Sequence, residues 1–191
     1  MNTTEHIVET YFRVVKNCFT YSDFKVKGGN NRQFDVLAFS PIENSFRHIE
    51  VSVTHNLGWN ANLETLKEEI GYKFFGNPRN SKPDNPNTDA SKGKRYLNQI
   101  REAYSSLGVQ YDKVIRVWCL WCYTGTTDEL WSWKKDLEES YGIPADQFEL
   151  LSFRDTIIPE LFGEIGTSHY SDEILRAFSL IKEFEKQKDR T

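Results

Sequence analysis

The sequence predicts an α/β fold, a mixed β-sheet flanked by helices, with residues 1–191 as one domain. Three observations lead there. Three short strand-like segments between residues 19 and 53 are joined by compact turns. The run VIRVWCLWCY, residues 114–123, is apolar almost throughout, as a strand buried on both faces is. Segments with apolar residues at three- and four-residue spacing precede, separate and follow these strands. A chain of 191 residues can bury a core without metals or disulfides, and no linker divides it.

The first element is a helix over residues 4–18, with Val8, Tyr11, Phe12, Val15 and Cys18 as its apolar stripe. Asn2 followed by Glu5, or Thr3 or Thr4, can cap its start. Residues 19–26 read as a strand, and Gly28-Gly29-Asn30-Asn31 as a turn, since Gly and Asn tolerate positive φ. Strands over 32–39 and 46–53 flank a second turn at 40–45. Turns this short make the three strands antiparallel neighbours. Leu63, Leu66, Ile70 and Phe74 give a helix over 57–75, capped by Asn60 or Asn62. Residues 76–90, with three Pro and four Asn, form a long loop, a kind of segment that is usually functional. A helix over 91–107, the apolar strand over 114–123 and a helix from Thr127 or Asp128 to Tyr141 follow, the last stopped by Gly142. A strand over 147–152 and helices over 154–163 and 172–188 complete the chain.

Composition excludes several classes. Residues AVILMFWYC make up 38% and aromatics 14%, too much for a disordered chain. The longest apolar stretch, residues 117–123, falls far short of the ~20 residues that cross a bilayer. The first residues lack a basic region followed by an apolar run, so a cytoplasmic protein is expected. Cys18, Cys119 and Cys122 are expected as reduced core residues, because alternation along a strand sends Cys119 and Cys122 to opposite faces. There is no glycine-rich phosphate loop, no His-x-x-x-His pair and no nucleophile elbow around Ser52.

The net charge of −4 hides a gradient. Residues 114–191 carry a net −6, whereas residues 76–101 carry a net +4 through Arg79, Lys82, Lys92, Lys94, Arg95 and Arg101. A local basic patch on an acidic protein can still meet phosphates, because the field near a cleft is local.

Alternation places Gln33, Asp35 and Leu37 on one face of the second strand, opposite Phe34, Val36 and Ala38. On the third strand it groups His48, Glu50 and Ser52, opposite Ile49, Val51 and Val53. Asp35 and Glu50 thus interrupt apolar strands, and a carboxylate there is costly unless paired. Two close carboxylates repel, and a divalent cation such as Mg²⁺ is a simple compensation. Glu9 on the first helix can join from above the sheet. The structural alternative pairs Asp35 with Arg32 or Arg47, and Glu50 with His48 or Lys67.

The stretch GGNNRQFDVLAFSPIENSFRHIEVSV resembles the core of the PD-(D/E)xK nuclease superfamily, the restriction-endonuclease-like fold, over about residues 4–123. Residues 124–191 would be a C-terminal elaboration. The resemblance matches Glu9 to the family's helix carboxylate, Asp35 to the motif Asp and Glu50 to the motif acid. Two positions depart from the pattern: Phe34 stands where Pro is common, and Ser52 stands in place of the motif Lys. Lys67 on the following helix is the first candidate to replace that lysine, and Lys73 a weaker one. Pairing with Glu64 or Glu68 is the structural alternative for Lys67.

The resemblance implies a Mg²⁺- or Mn²⁺-dependent endonuclease hydrolysing phosphodiester bonds of DNA, with RNA as the other substrate class, in restriction, defence or repair. Asp35, Glu50 and the carbonyl of Val51 would hold the metal, and Glu9, Asp35, Glu50 and Lys67 would form the catalytic set. The basic residues of 76–101 would contact nucleic acid, and a homodimer is a further expectation. The alternative, which Ser52 and the acidic C-terminal third favour, is a catalytically inactive nuclease-like module that binds nucleic acid or protein.

Overall fold

A computed structural model describes residues 2–29, 32–53, 61–77 and 90–188, with the side chains of residues 68 and 90–95 outside that description. Helix α1 spans Thr3–Val14. Asn2 and Glu5 cap it reciprocally: the Asn2 side chain accepts the Glu5 amide at 3.0 Å, and the Glu5 carboxylate accepts the Asn2 amide at 2.8 Å. The helix stops four residues earlier than its stripe suggests, and Asn17 turns the chain with a φ of 53°.

Strands β1 (Phe19–Lys25), β2 (Gln33–Ser40) and β3 (Ser45–Ser52) form the expected antiparallel meander. A short strand β4 (Ala61–Asn62) leads into α2 (Leu63–Phe75), and α3 spans Ala90–Ser106. Because residues 61–62 are extended, α2 begins at Leu63, where the Asn62 side chain accepts the Glu64 amide at 2.9 Å. Residues 57–60, expected as the start of this helix, lie outside the described residues.

Strand β5 (Val114–Leu120) pairs parallel with β3 and ends three residues before the apolar run does. Tyr123–Thr124 forms β6, paired parallel with β4. Helix α4 (Thr127–Tyr141) is capped by Thr126, one residue earlier than expected, through a second reciprocal pair with Glu129. Strand β7 (Phe148–Ser152) runs parallel to β5, completing a five-stranded mixed sheet in the order β1-β2-β3-β5-β7. A π-helical turn over Phe153–Ile157 leads into α5 (Ile158–Glu164), and α6 spans Glu173–Lys188.

The sheet carries helices on both faces. On one, Val36, Ala38, Ile49, Val117 and Cys119 pack against Val8, Tyr11 and Phe12 of α1 and Leu161 of α5. On the other, Trp118, Leu120, Phe148 and Leu150 meet Leu66, Ile70 and Phe74 of α2 and Trp133 and Leu137 of α4. Leu37 meets Ile100 and Tyr104 of α3 on that same side. Alternation fails at one point. Phe34 packs with Leu37 rather than with Val36 and Ala38, its ring 5.3 Å from that of Tyr104. The break coincides with the end of a ladder. Strand β2 pairs with β3 from Ser40↔Ser45 only as far as Val36↔Ile49, while its pairing with β1 continues to Lys25↔Gln33. The three cysteines are buried and none forms a disulfide. Among the described residues no helix is long and apolar enough to cross a membrane.

Candidate active site

Where β2 leaves β3, the vacated ladder position is taken by a side chain. Asp35 Oδ2 accepts the backbone N–H of Val51 at 2.8 Å. This bond holds the Asp35 carboxylate beside the residue that follows Glu50. The two acids feel each other: burial first, then the Glu50 charge, pushes Asp35 from 3.8 up to about 7, and the Val51 amide and the Lys73 charge only partly offset this. The strand-and-turn reading that brings Asp35 and Glu50 to adjacent strands therefore agrees with their placement.

Glu50 is 6% exposed and sits in a chain of polar contacts. Its Oε1 lies 2.9 Å from His48 Nε2, and its Oε2 accepts Lys73 Nζ at 3.3 Å. His48 Nδ1 lies 2.6 Å from the Tyr104 hydroxyl. Burial lowers the His48 pKa and raises that of Tyr104, so the ring is neutral and the phenol keeps its proton. The partners then assign the tautomer: Tyr104 O–H donates to Nδ1, and Nε2–H donates to Glu50. Burial raises the Glu50 pKa, but the His48 bond and the Lys73 charge outweigh it, and the net shift is downward. Glu50 is a fixed, ionised carboxylate, whereas Asp35 is an easily protonated one.

A cleft of about 310 Å³ opens on Glu50, lined also by Arg32, Tyr72, Lys73 and Tyr96. Arg32 does not pair with Asp35. Its guanidinium donates to the carbonyls of Tyr72 and Lys73 at 2.7 and 3.2 Å, a cation on the C-terminal end of α2, and lies 5.0 Å from the Tyr72 ring centre. Arg47 is likewise committed elsewhere, to Glu43 at 2.6 Å.

The other expected residues are placed as follows. Lys67 is not in the cleft: its ammonium donates to Asp136 of α4 at 2.8 Å. The cation beside Glu50 is Lys73, six residues and about 9 Å further along the helix. Glu9 accepts the Thr20 hydroxyl of β1 at 3.0 Å instead of joining the acid pair. The α1 carboxylate whose charge reaches Asp35 is Glu5. Sequence reasoning gave Glu5 a capping role only, yet it lies one helical turn before Glu9 and so shares its face, which is the signal that could have found it. The His48–Glu50 contact is the structural pairing that the sequence offered for Glu50, whereas Tyr104, which holds His48 from α3, gave no such signal.

Arg79 and Lys82 lie outside the described residues, and for Lys92, Lys94 and Arg95 the backbone of α3 is described but not the side chains. Arg101 is exposed, with its guanidinium 4.7 Å from the Tyr111 ring centre. Among the described residues no group of three or more His, Cys, Asp and Glu side chains is arranged to hold a metal ion.

Two carboxylates nevertheless suit one kind of ion. Mg²⁺ commonly takes one or two protein carboxylates and completes its shell with water and substrate phosphate. The donors offered are all hard oxygens, and the Glu50 charge adds to burial in raising the Asp35 pKa, a repulsion that a cation would relieve. Each carboxylate keeps acceptor capacity beyond the bonds described. The pair fits Mg²⁺ or Mn²⁺. No protein-family profile, curated protein or solved structure matches this chain.

Proposed function

We propose that the chain is a Mg²⁺-dependent nuclease of restriction-endonuclease-like fold, with Asp35 and Glu50 as metal-holding acids and Lys73 as the cation of the site. The observation that carries this reading is the Lys73–Glu50 contact of 3.3 Å beside the Asp35–Val51 bond. The family's pattern asks for an ammonium group beside the second acid, and Ser52 cannot provide one. Lys73 supplies it from α2. The order of one helix, three antiparallel strands, a helix and a strand parallel to the third supports the same reading.

Asp35 and Glu50 would hold the ion, with the Val51 carbonyl as the third protein donor. When bound, Mg²⁺ supplies Lewis acidity and a lowered water pKa. The residues of the chain do the rest. His48, locked by Tyr104, orients Glu50. The Val51 amide orients Asp35. Lys73 balances negative charge where a scissile phosphate would enter the cleft. Arg32 fixes the backbone from which Lys73 projects. The basic residues of 76–101 would contact the nucleic-acid backbone, DNA being the favoured substrate.

Digestion of a panel of DNA and RNA forms with Mg²⁺ or Mn²⁺ tests this. Lys73→Ala should lower the cleavage rate roughly a hundredfold or more, as removal of a charge-stabilising group does. Lys67→Ala should leave it nearly unchanged, because Lys67 is engaged with Asp136. The reverse ranking would overturn the assignment. A second reading rests on Ser52 and on the engagement of Glu50 by His48 and Lys73: a nuclease-like module that binds without cutting. Nucleic-acid binding with no cleavage of any form would favour it.

A further inference from the structure

Helix α6 buries one side and leaves the other without cover. Leu175, Phe178 and Ser179 pack toward the body, and Lys182 Nζ donates to the carbonyls of Phe162 and Ile165 at 2.8 and 2.7 Å. On the opposite side Leu180, Ile181 and Phe184 are 64%, 49% and 67% exposed, and Ala177 is exposed with them. Spacings of three, one and three residues make a single stripe. Large apolar side chains gathered on one exposed stripe mark an interaction surface, whereas scattered ones do not.

We infer that this stripe is a self-association face, on which α6 packs antiparallel against α6 of a second copy of the chain. The stripe is symmetric about its midpoint, between Leu180 and Ile181. In an antiparallel pair related by a two-fold axis there, Leu180 of each copy stands at the level of Ile181 of the other. Ala177 stands at the level of Phe184, a small residue opposite a large one, which lets the helices approach closely. Charge selects the direction. An antiparallel two-fold brings each flank of the stripe against the same flank of the partner, run in reverse. One flank carries Arg176 and, two turns on, Glu183; in the partner Glu183 lies two residues, about 3 Å, from the level of Arg176, within reach of a guanidinium, so the ion pair forms twice. A parallel pair would set Arg176 against the other flank, where Ile174 and Phe178 lie and no carboxylate is at its level. The face lies on the α1 side of the sheet, away from the cleft at Glu50. The dimer therefore leaves both clefts open, and the inference does not depend on the nuclease reading.

One helix pair is smaller than a standard protein interface of about 1,600 Å², so the dimer should dissociate reversibly on dilution. Sedimentation equilibrium of the whole chain, from about 1 to 500 μM, tests this, with circular dichroism confirming that each variant is folded. The parent should shift from monomer to dimer across the range. Phe184→Glu, at an exposed position, should keep the chain monomeric. Arg176→Glu should weaken association at least about tenfold, and the exchange Arg176→Glu with Glu183→Arg should restore it. A parent that stays monomeric overturns the inference. So does a Phe184→Glu variant that dimerises like the parent, which would place the contact elsewhere. A charge exchange that fails to restore association overturns the antiparallel arrangement.

Discussion

At Asp35, burial and the Glu50 carboxylate favour the neutral acid, with a folded pKa of about 7 against 3.8 for the ordinary group. Between about pH 4 and 7 the folded chain holds a proton that the unfolded chain has released, so this group's contribution to stability falls as pH rises through that window. Asp35→Asn removes the ionisation and keeps an oxygen for the Val51 amide. The variant should match the parent near pH 4 and exceed it at pH 8, by on the order of 2–4 kcal/mol. His48, whose lowered pKa costs stability below its ordinary 6.5, acts alike in both proteins and cancels from the difference. Urea melts of the two proteins at both pH values check this, and a difference that does not change with pH would contradict the placement of Asp35. That Asp35 and Glu50 lie on adjacent strands was legible in the sequence, because a short turn makes β2 and β3 antiparallel neighbours. Lys73 was not. Lys67 and Lys73 both lie on α2, and only the packing of that helix decides which end overlies β3.

Helix α2 ends at Gly76, where φ is +72° and a Cβ would sit 2.6 Å from Tyr96 Cβ and 2.9 Å from the Leu97 amide nitrogen. Neither atom is the free end of a side chain, so α3 itself would have to move. Gly142 ends α4 with a similar φ of +66° but open space around it. Gly142→Ala should therefore show only the conformational cost, about 1 kcal/mol. Gly76→Ala should add a packing cost of about 1–3 kcal/mol. Thermal or urea unfolding of the two variants distinguishes the terms, and equal losses would mean that the α2–α3 approach is loose. The role of Gly142 as a helix stop is visible in the sequence, with Pro144 just beyond it. The close approach at Gly76 is not, because it depends on where α3 returns after residues 77–89. The same limit explains Phe34. Strict alternation assumes a continuous ladder, and the ladder between β2 and β3 ends at Val36.

Over the whole molecule the charge is −4, yet the basic turns at the start of α3 lead directly into Tyr96, which lines the Glu50 cleft. On the nuclease reading, these basic residues are the first candidates to contact the backbone of a nucleic acid bound in the cleft. Replacing Lys92, Lys94 and Arg95 by Gln should weaken duplex binding at every sequence tested and flatten its dependence on salt. Each phosphate that is no longer neutralised lowers the log–log slope by about 0.9. Fluorescence anisotropy between 50 and 300 mM salt, about the range over which such charges are screened, measures the slope. An unchanged slope would move the interface to another face.

In most sheets the bond between neighbouring strands is indifferent to pH, because its acceptor is a peptide carbonyl. The last link between β2 and β3 has a carboxylate for its acceptor, at 2.8 Å from the Val51 nitrogen. Its strength therefore follows the charge on Asp35. A proton taken up by Asp35 weakens that acceptor and at the same time removes the charge that faces Glu50. Titration of one side chain and the hold of one strand on the next are therefore linked at a single hydrogen bond.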